Sequence, residues 1–173
     1  MDATISIRFA DLDDINTIGF LAQQIWPPTY GEILTAEQLD YMLGLFYSPA
    51  SLTRQMIDEK HSFLIVEEDE NPIGFAAWSP ITDKPGYFKL HKLYVLGGRQ
   101  GRGMGKNIIH FILDDIRERN GERLRLNVNR HNKAIKFYEK MGFSIVGEED
   151  IEIGNGFYMN DYIMEMEFPI HNS

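Results

Sequence analysis

Tyr87-Phe88-Lys89-Leu90-His91-Lys92-Leu93-Tyr94-Val95-Leu96-Gly97-Gly98-Arg99-Gln100-Gly101-Arg102-Gly103-Met104-Gly105-Lys106 is the stretch on which the fold turns. Tyr87–Leu96 reads as a long strand, ended by Gly97-Gly98. From about Gly103 to Arg119 the period changes. Met104, Ile108, Ile112 and Ile116 recur four apart, as on an amphipathic helix, and Gly121 lies just beyond its end. The loop between them is rich in glycine. Glycines let the main chain come close to a ligand, and the first N–H groups of a helix point outward with the positive end of its dipole, so this arrangement suits a phosphate. One helix dipole contributes roughly 0.3–1 kcal/mol to an anion, so several N–H groups and the cations Arg99, Arg102 and Lys106 must supply most of the grip.

Charge is uneven around this stretch. Lys84 to Leu113 holds six basic residues and no acid, whereas the chain as a whole has 17 basic and 26 acidic residues and a net charge of −9. An acidic protein with one acid-free basic stretch is suited to hold a compact anion there and to attract cations elsewhere. Duplex DNA is a poor partner at this charge, because phosphate neutralisation supplies most of such affinity. The 173 residues suit one domain, so 1–173 is read as a single unit. With no cysteine there is no disulfide scaffold, thiol nucleophile or thiolate metal site, and no metal is expected. No apolar run reaches the roughly 18 residues of a membrane span, and the start shows no signal peptide, so a cytoplasmic location is expected.

The flanking segments complete an α/β order. Thr4–Phe9 alternates as a strand, and Asp11 is placed to cap a helix through Ile15, Ile18, Ala22 and Ile25 that Pro27-Pro28 should stop. Thr35 with Gln38 resembles a capping box for a second helix, and a third runs from Pro49 to about Glu59. Ser62–Glu67 and Ile73–Trp78 read as a hairpin. After the central helix come a strand at Leu124–Val128, a helix at Asn132–Met141 closed by Gly142, and strands at Phe143–Gly147 and Tyr158–Phe168. This order requires at least one parallel strand pair.

The glycine loop fails two familiar phosphate motifs. A Walker A loop needs Gly where Gln100 stands and Ser/Thr where Asn107 stands, and a dinucleotide fingerprint needs Gly at Lys106. Gln100-Gly101-Arg102-Gly103-Met104-Gly105 instead resembles the Q/R-x-x-G-x-G/A pyrophosphate loop of the GNAT N-acetyltransferase superfamily, which binds acetyl-CoA. Lys92-Leu93-Tyr94-Val95 resembles the strand before that loop, and Ala134-Ile135-Lys136-Phe137-Tyr138-Glu139-Lys140-Met141-Gly142-Phe143 resembles the A-x-x-F-Y-E-x-x-G-F signature that follows it. The firm likeness covers Tyr87–Val146. Trp26-Pro27-Pro28-Thr29-Tyr30 and Asn160-Asp161-Tyr162-Ile163-Met164 resemble, more loosely, the bacterial spermidine/spermine acetyltransferase branch. The resemblance implies a mixed, twisted, largely antiparallel sheet with a central splayed parallel pair, flanked by helices.

It also implies direct transfer of acetyl from acetyl-CoA to a primary amine, with a polyamine or another small cationic amine as acceptor. An amino acid or a protein amino terminus remains open as acceptor, and a non-catalytic CoA-binding module is the competing class. A homodimer is compatible with this reading, with no nucleic-acid or membrane partner. An alkyl ammonium has a pKa of about 10.4, so at pH 7 roughly one molecule in 2,500 is nucleophilic, a deficit of about 4.6 kcal/mol. A base or desolvation must offset it. By the resemblance Tyr138 is the acid that protonates the departing CoA sulfur; read alone, it lies in an apolar helical arc with Phe137, Met141, Ala134 and Ile135, where a core role is also open. His91 is the candidate base, with Glu32, Glu148, Asp161 or a water chain as alternatives. Gln100, Gly101, Arg102, Gly103, Met104, Gly105 and Lys106 would hold the pyrophosphate, and Leu93, Tyr94 and Val95 would offer a strand edge to the pantetheine amides. Asn132, Ala134 and Phe137 complete the carrier side, although the family's N-x-x-A spacing is one residue shorter here, so His131 competes with Asn132. Trp26, Tyr30 and Asp161 would receive the cationic acceptor, with Tyr41, Trp78 and the acidic run from Glu148 to Glu152 as further candidates.

Overall fold

The computed structural model describes residues 4–98 and 103–168, so the expected loop residues Arg99, Gln100, Gly101 and Arg102 lie outside the described residues. Among the described residues, seven strands and five α-helices follow one another: β1 Ile5–Phe9, α1 Ile15–Tyr30, α2 Ala36–Tyr47, α3 Pro49–Ile57, β2 Ser62–Glu68, β3 Asn71–Pro80, β4 Tyr87–Val95, α4 Met104–Glu118, β5 Arg123–Asn129, α5 Ala134–Met141, β6 Ser144–Gly154 and β7 Phe157–Glu167. The strands hydrogen-bond in the order β1-β2-β3-β4-β5-β7-β6. The β4–β5 pair is parallel, with Tyr87–Leu90 facing Arg123–Leu126, as the element order demands; β1–β2, β2–β3, β5–β7 and β6–β7 are antiparallel. The chain divides into two compact units, residues 1–79 with 92–112 and residues 80–91 with 113–173.

In the first unit, Asp11 and Asp14 form a reciprocal capping box around a short 3-10 turn at Leu12–Asp14 that leads into α1. Arg8 grips Asp14 with two hydrogen bonds of 2.9 Å and holds that carboxyl below its ordinary pKa. Pro27-Pro28 does not stop α1. The helix continues to Tyr30, because the two carbonyls that lose their donors belong to Gln23 and Gln24 on the exposed side, and because Thr29 Oγ1 donates to the Ile25 carbonyl at 2.8 Å. Thr35 caps α2 and Ser48 caps α3 through their side-chain oxygens. Asp69 and Glu70, both at positive φ, make the tight turn of the β2–β3 hairpin. Ile18, Leu21, Ala22, Ile25, Leu52, Phe63, Ile65, Phe75 and Trp78 are buried, as are Met104, Ile108 and Ile112 of the α4 stripe.

In the second unit, the β4 and β5 segments alternate strictly. Phe88, Leu90, Leu124, Leu126, Val128, Met164 and Met166 are buried, and the ladder pairs Phe88 with Leu124, Leu90 with Leu126, Leu126 with Met164 and Leu124 with Met166. Gly121 lies just beyond the end of α4 as expected, and one strand bound is corrected. The left-handed residue after α4 is Asn120 (φ 62°), while Gly121 is required for close packing: a Cβ there would fall on Ile116 Cγ2 and 2.9 Å from Phe88 Cε1. The expected strand at Phe143–Gly147 extends to Gly154, carrying the acidic run in extended conformation against β7, because Asn155 and Gly156 turn the chain with positive φ at both positions.

Candidate active site

In the first unit, α4 begins immediately after Gly103, whose φ of +74° is a glycine conformation, and space is open around its Cα. The first turn holds Met104, Gly105 and Lys106 and no acid, with Met104 buried and Lys106 exposed. Outward-pointing N–H groups, an exposed ammonium and a 15-residue dipole fit a diphosphate at this end. On β4, Leu93 and Tyr94 are half-buried and Val95 is buried. They lie beyond the ladder that joins β4 to β5, which ends at Leu90 and Leu126. Gly74 of β3 is needed beside them, since a Cβ there would lie 2.7 Å from the Tyr94 carbonyl oxygen.

Trp26 and Tyr30 come together with Tyr94 in a ring cluster. Trp26 stands 4.8 Å from Tyr30, 5.4 Å from Tyr47 and 5.8 Å from Tyr94, and the Tyr30 and Tyr94 hydroxyls share a hydrogen bond of 2.8 Å. Burial pushes the Tyr47 phenol well above its ordinary pKa. Trp78 is fully buried against Phe9 and Phe111, a core position, and Tyr41 is half-buried on α2. Glu32 is exposed just past α1.

Sequence reasoning missed Lys92. It is only 8% exposed, donates to Gln55 Oε1 at 2.7 Å, and lies 5.4 Å from the Tyr47 ring and 5.7 Å from the Phe63 ring. Gln55 Nε2 in turn donates to the Phe46 carbonyl and Ser51 Oγ. The signal was present: Lys92 is in phase with the buried Phe88 and Leu90, where a cation is out of place.

In the second unit, Tyr138 is buried on α5. Gly142 at φ 107° ends that helix, and the Phe143 N–H donates to the Tyr138 carbonyl at 3.0 Å. The turn brings the Phe143 ring 5.5 Å from Tyr138, with Phe137 5.3 Å on another side. The Y-x-x-x-G-F spacing is therefore a helix-termination motif that fixes the tyrosine. Ala134, one turn earlier, is half-buried, and Asn132 Oδ1 accepts from the Ala134 N–H at 2.9 Å, which starts the helix. His131 is exposed; its N–H donates to Asn129 Oδ1.

The sheet of this unit has a polar face opposite its apolar one. Residues opposed in a ladder point the same way, so Lys89, Arg125 and Glu165 form one row, and Asn129, Asp161 and Glu149 another. His91, half-buried, follows Lys89 in phase on β4 and joins this face. Asp161 is 4% exposed; burial raises its carboxyl above the ordinary pKa, against the pull of the Asn127 amide and of Lys89. Asn127 Nδ2 donates to Asp161 Oδ2 at 3.4 Å and to Glu149 Oε1 at 2.9 Å. Arg130 binds Glu148 and Asp150, so much of the acidic run is already paired.

No helix among the described residues is long and apolar enough to cross a membrane. The chain is 25% identical over 170 residues to a spermidine N(1)-acetyltransferase of Thermoplasma acidophilum, covering 95% of this chain and 98% of that one. It is 26% identical over 157 residues to an uncharacterised N-acetyltransferase of Mycobacterium bovis, covering 90% and 99% of the two chains. Among solved structures, the PaiA N-acetyltransferase of Thermoplasma acidophilum in complex with coenzyme A superposes with a TM-score of 0.79 at 25% identity, over 95% of this chain and 99% of that chain. A family model described as an acetyltransferase (GNAT) domain matches residues 33–166. The chain belongs to the GNAT family of N-acetyltransferases.

Proposed function

We propose that this protein transfers acetyl from acetyl-CoA directly to a primary amine, and that the acceptor is a small cationic amine of the polyamine class. The observation that carries this reading is the near full-length likeness to a protein named as a spermidine acetyltransferase, joined to a Gly103–Lys106 helix start whose composition suits a diphosphate. Acetyl-CoA, when bound, supplies the thioester acetyl, whose C–S bond breaks as the amine nitrogen bonds to the carbonyl carbon. The N–H groups of the Gly103–Lys106 turn, with Gln100, Gly101 and Arg102, hold the carrier's phosphates, and the Leu93–Val95 strand edge, Asn132, Ala134 and Phe137 hold the rest of it. Tyr138, protonated at neutral pH, donates its phenolic proton to the leaving sulfur. His91 takes the proton the amine must shed. Trp26 and Tyr30, both buried, shape the acceptor side through their ring cluster, and Asp161 balances a second ammonium.

On this reading residues 1–173 work as one acetyltransferase domain, in the cytoplasm. The test is thiol release from acetyl-CoA on adding spermidine, putrescine, free amino acids or a peptide with a free amino terminus. Release with the polyamines above the others supports the proposal; release with the peptide alone moves the acceptor to protein termini. Tight coenzyme A binding without release on any amine leaves a binding module.

A further inference from the structure

The last turn of α1 is held from its sides. Pro27 and Pro28 contribute no N–H, so two rungs of the helical ladder are missing just before the chain leaves the helix. Beyond the helix's own remaining bonds, the Gly31 N–H donates to the Pro27 carbonyl (2.8 Å), and the Ile33 and Leu34 N–H groups donate to the Tyr30 carbonyl (2.9 and 2.8 Å). On the interior side, Tyr30 packs on Trp26 one turn earlier, and its hydroxyl bonds the Tyr94 hydroxyl at 2.8 Å. Tyr94 touches three rings of the cluster: Trp26, Tyr30 and, at 5.7 Å, Phe75. Its main chain is part of the β4 segment that packs closely on Gly74. Tyr94 therefore joins a well-anchored strand to a helix end whose ladder lacks two rungs.

We propose that Tyr94 is a positioning residue: through the Tyr30–Tyr94 hydroxyl pair it fixes the double-proline turn of α1, and with it the placement of Trp26 and Tyr30 toward the acceptor amine. The acceptor half of this inference rests on the acetyltransferase reading above; the mechanical half does not. One hydrogen bond between neutral groups contributes enough to shift an equilibrium about two- to tenfold, which sets the size of every expected effect.

The variants are Tyr94→Phe, Tyr30→Phe and the double variant, all of which keep the rings. Hydrogen exchange read by mass spectrometry should show the amides of residues 30–34 exchanging about two- to tenfold faster in each single variant and no faster still in the double, with peptides of β6 and β7 unmoved. With spermidine as the amine probe, KM for spermidine should rise by a similar factor and by more than KM for acetyl-CoA, again without a further loss in the double. Unaltered exchange at residues 30–34 overturns the proposal, as do effects that multiply in the double variant. Equal rises in both KM values also overturn it, because they mark a general loosening. If the parent protein acetylates no amine, the acetyltransferase reading falls, and the exchange measurement alone still decides whether Tyr94 holds the turn.

Discussion

Removing one oxygen from Tyr138 separates its packing from its chemistry. In Tyr138→Phe the ring keeps its neighbours Phe137 and Phe143, and the Phe143 N–H still finds the residue-138 carbonyl, so the termination of α5 stays intact. Stability should fall by no more than about 1.5 kcal/mol, the net worth of one hydrogen bond. Turnover should fall much further. A departing thiolate with a pKa near 8.5 is about 1.5 units from protonation at pH 7, a deficit of about 2 kcal/mol or roughly 30-fold. Positioned proton transfer commonly contributes 10²–10⁴-fold, so a loss of about 10² in kcat at pH 7 is expected. The deficit should narrow above about pH 8.5, where the thiolate needs no proton. Thiol release at saturating acetyl-CoA and spermidine between about pH 6.5 and 9.5 measures it. An unchanged kcat at pH 7 would remove Tyr138 from the chemistry, and a parallel collapse of coenzyme A affinity would assign it to packing alone.

Three further outcomes follow from the packing. Gly121→Ala drives a methyl group onto Ile116 and Phe88, both buried, and should cost about 1–3 kcal/mol, or roughly 2–12 °C in melting temperature; an unshifted melting curve contradicts the packing. Gln55→Ala takes the acceptor from the buried Lys92 ammonium and should cost about 3 kcal/mol in urea unfolding, since hydrogen bonds to charged groups are the costly ones to break; a loss below about 0.5 kcal/mol speaks against a charged Lys92. Asp161 has a raised pKa from burial, so the folded state favours the proton and loses stability as pH rises from the ordinary carboxylate value through the raised one. Asp161→Asn should therefore melt higher than the parent at pH 7, with the gain vanishing near pH 3, while KM for spermidine rises. A variant less stable than the parent at pH 7 refutes the direction.

Much of this architecture is legible because each element announces itself locally. The Met104–Ile116 stripe, the Thr35 cap and the Gly142 stop are short-range signals, and all three take the structural roles read from them. The parallel pair follows from element order alone. Two local readings fail for identifiable reasons. Pro27-Pro28 looks like a stop because proline breaks the ladder, yet the broken rungs fall on the exposed side, and the Tyr30–Tyr94 contact that helps hold the turn joins residues 64 apart in sequence. The acidic stretch after Gly147 looks too charged for a strand, although Asn155-Gly156 beyond it is a strong hairpin signal that outweighs it.

The candidate site divides along the same line between local and long-range information. Tyr138 is readable because a helix-termination motif of six residues both spells the family signature and clamps the ring. Asp161 is not readable as a buried acid, because its strand, Phe157–Glu167, mixes polar and apolar residues on both sides of the chain. Its burial becomes meaningful only when the registers of β4, β5, β7 and β6 are known, which align Lys89, Arg125 and Glu165 in one row and Asn129, Asp161 and Glu149 in the next. A sheet that spends one face on leucine and methionine and keeps cations, amides and a desolvated carboxylate on the other retains chemistry at a cost in stability. Under the proposed function that cost has a reason, because this face would meet a charged ligand.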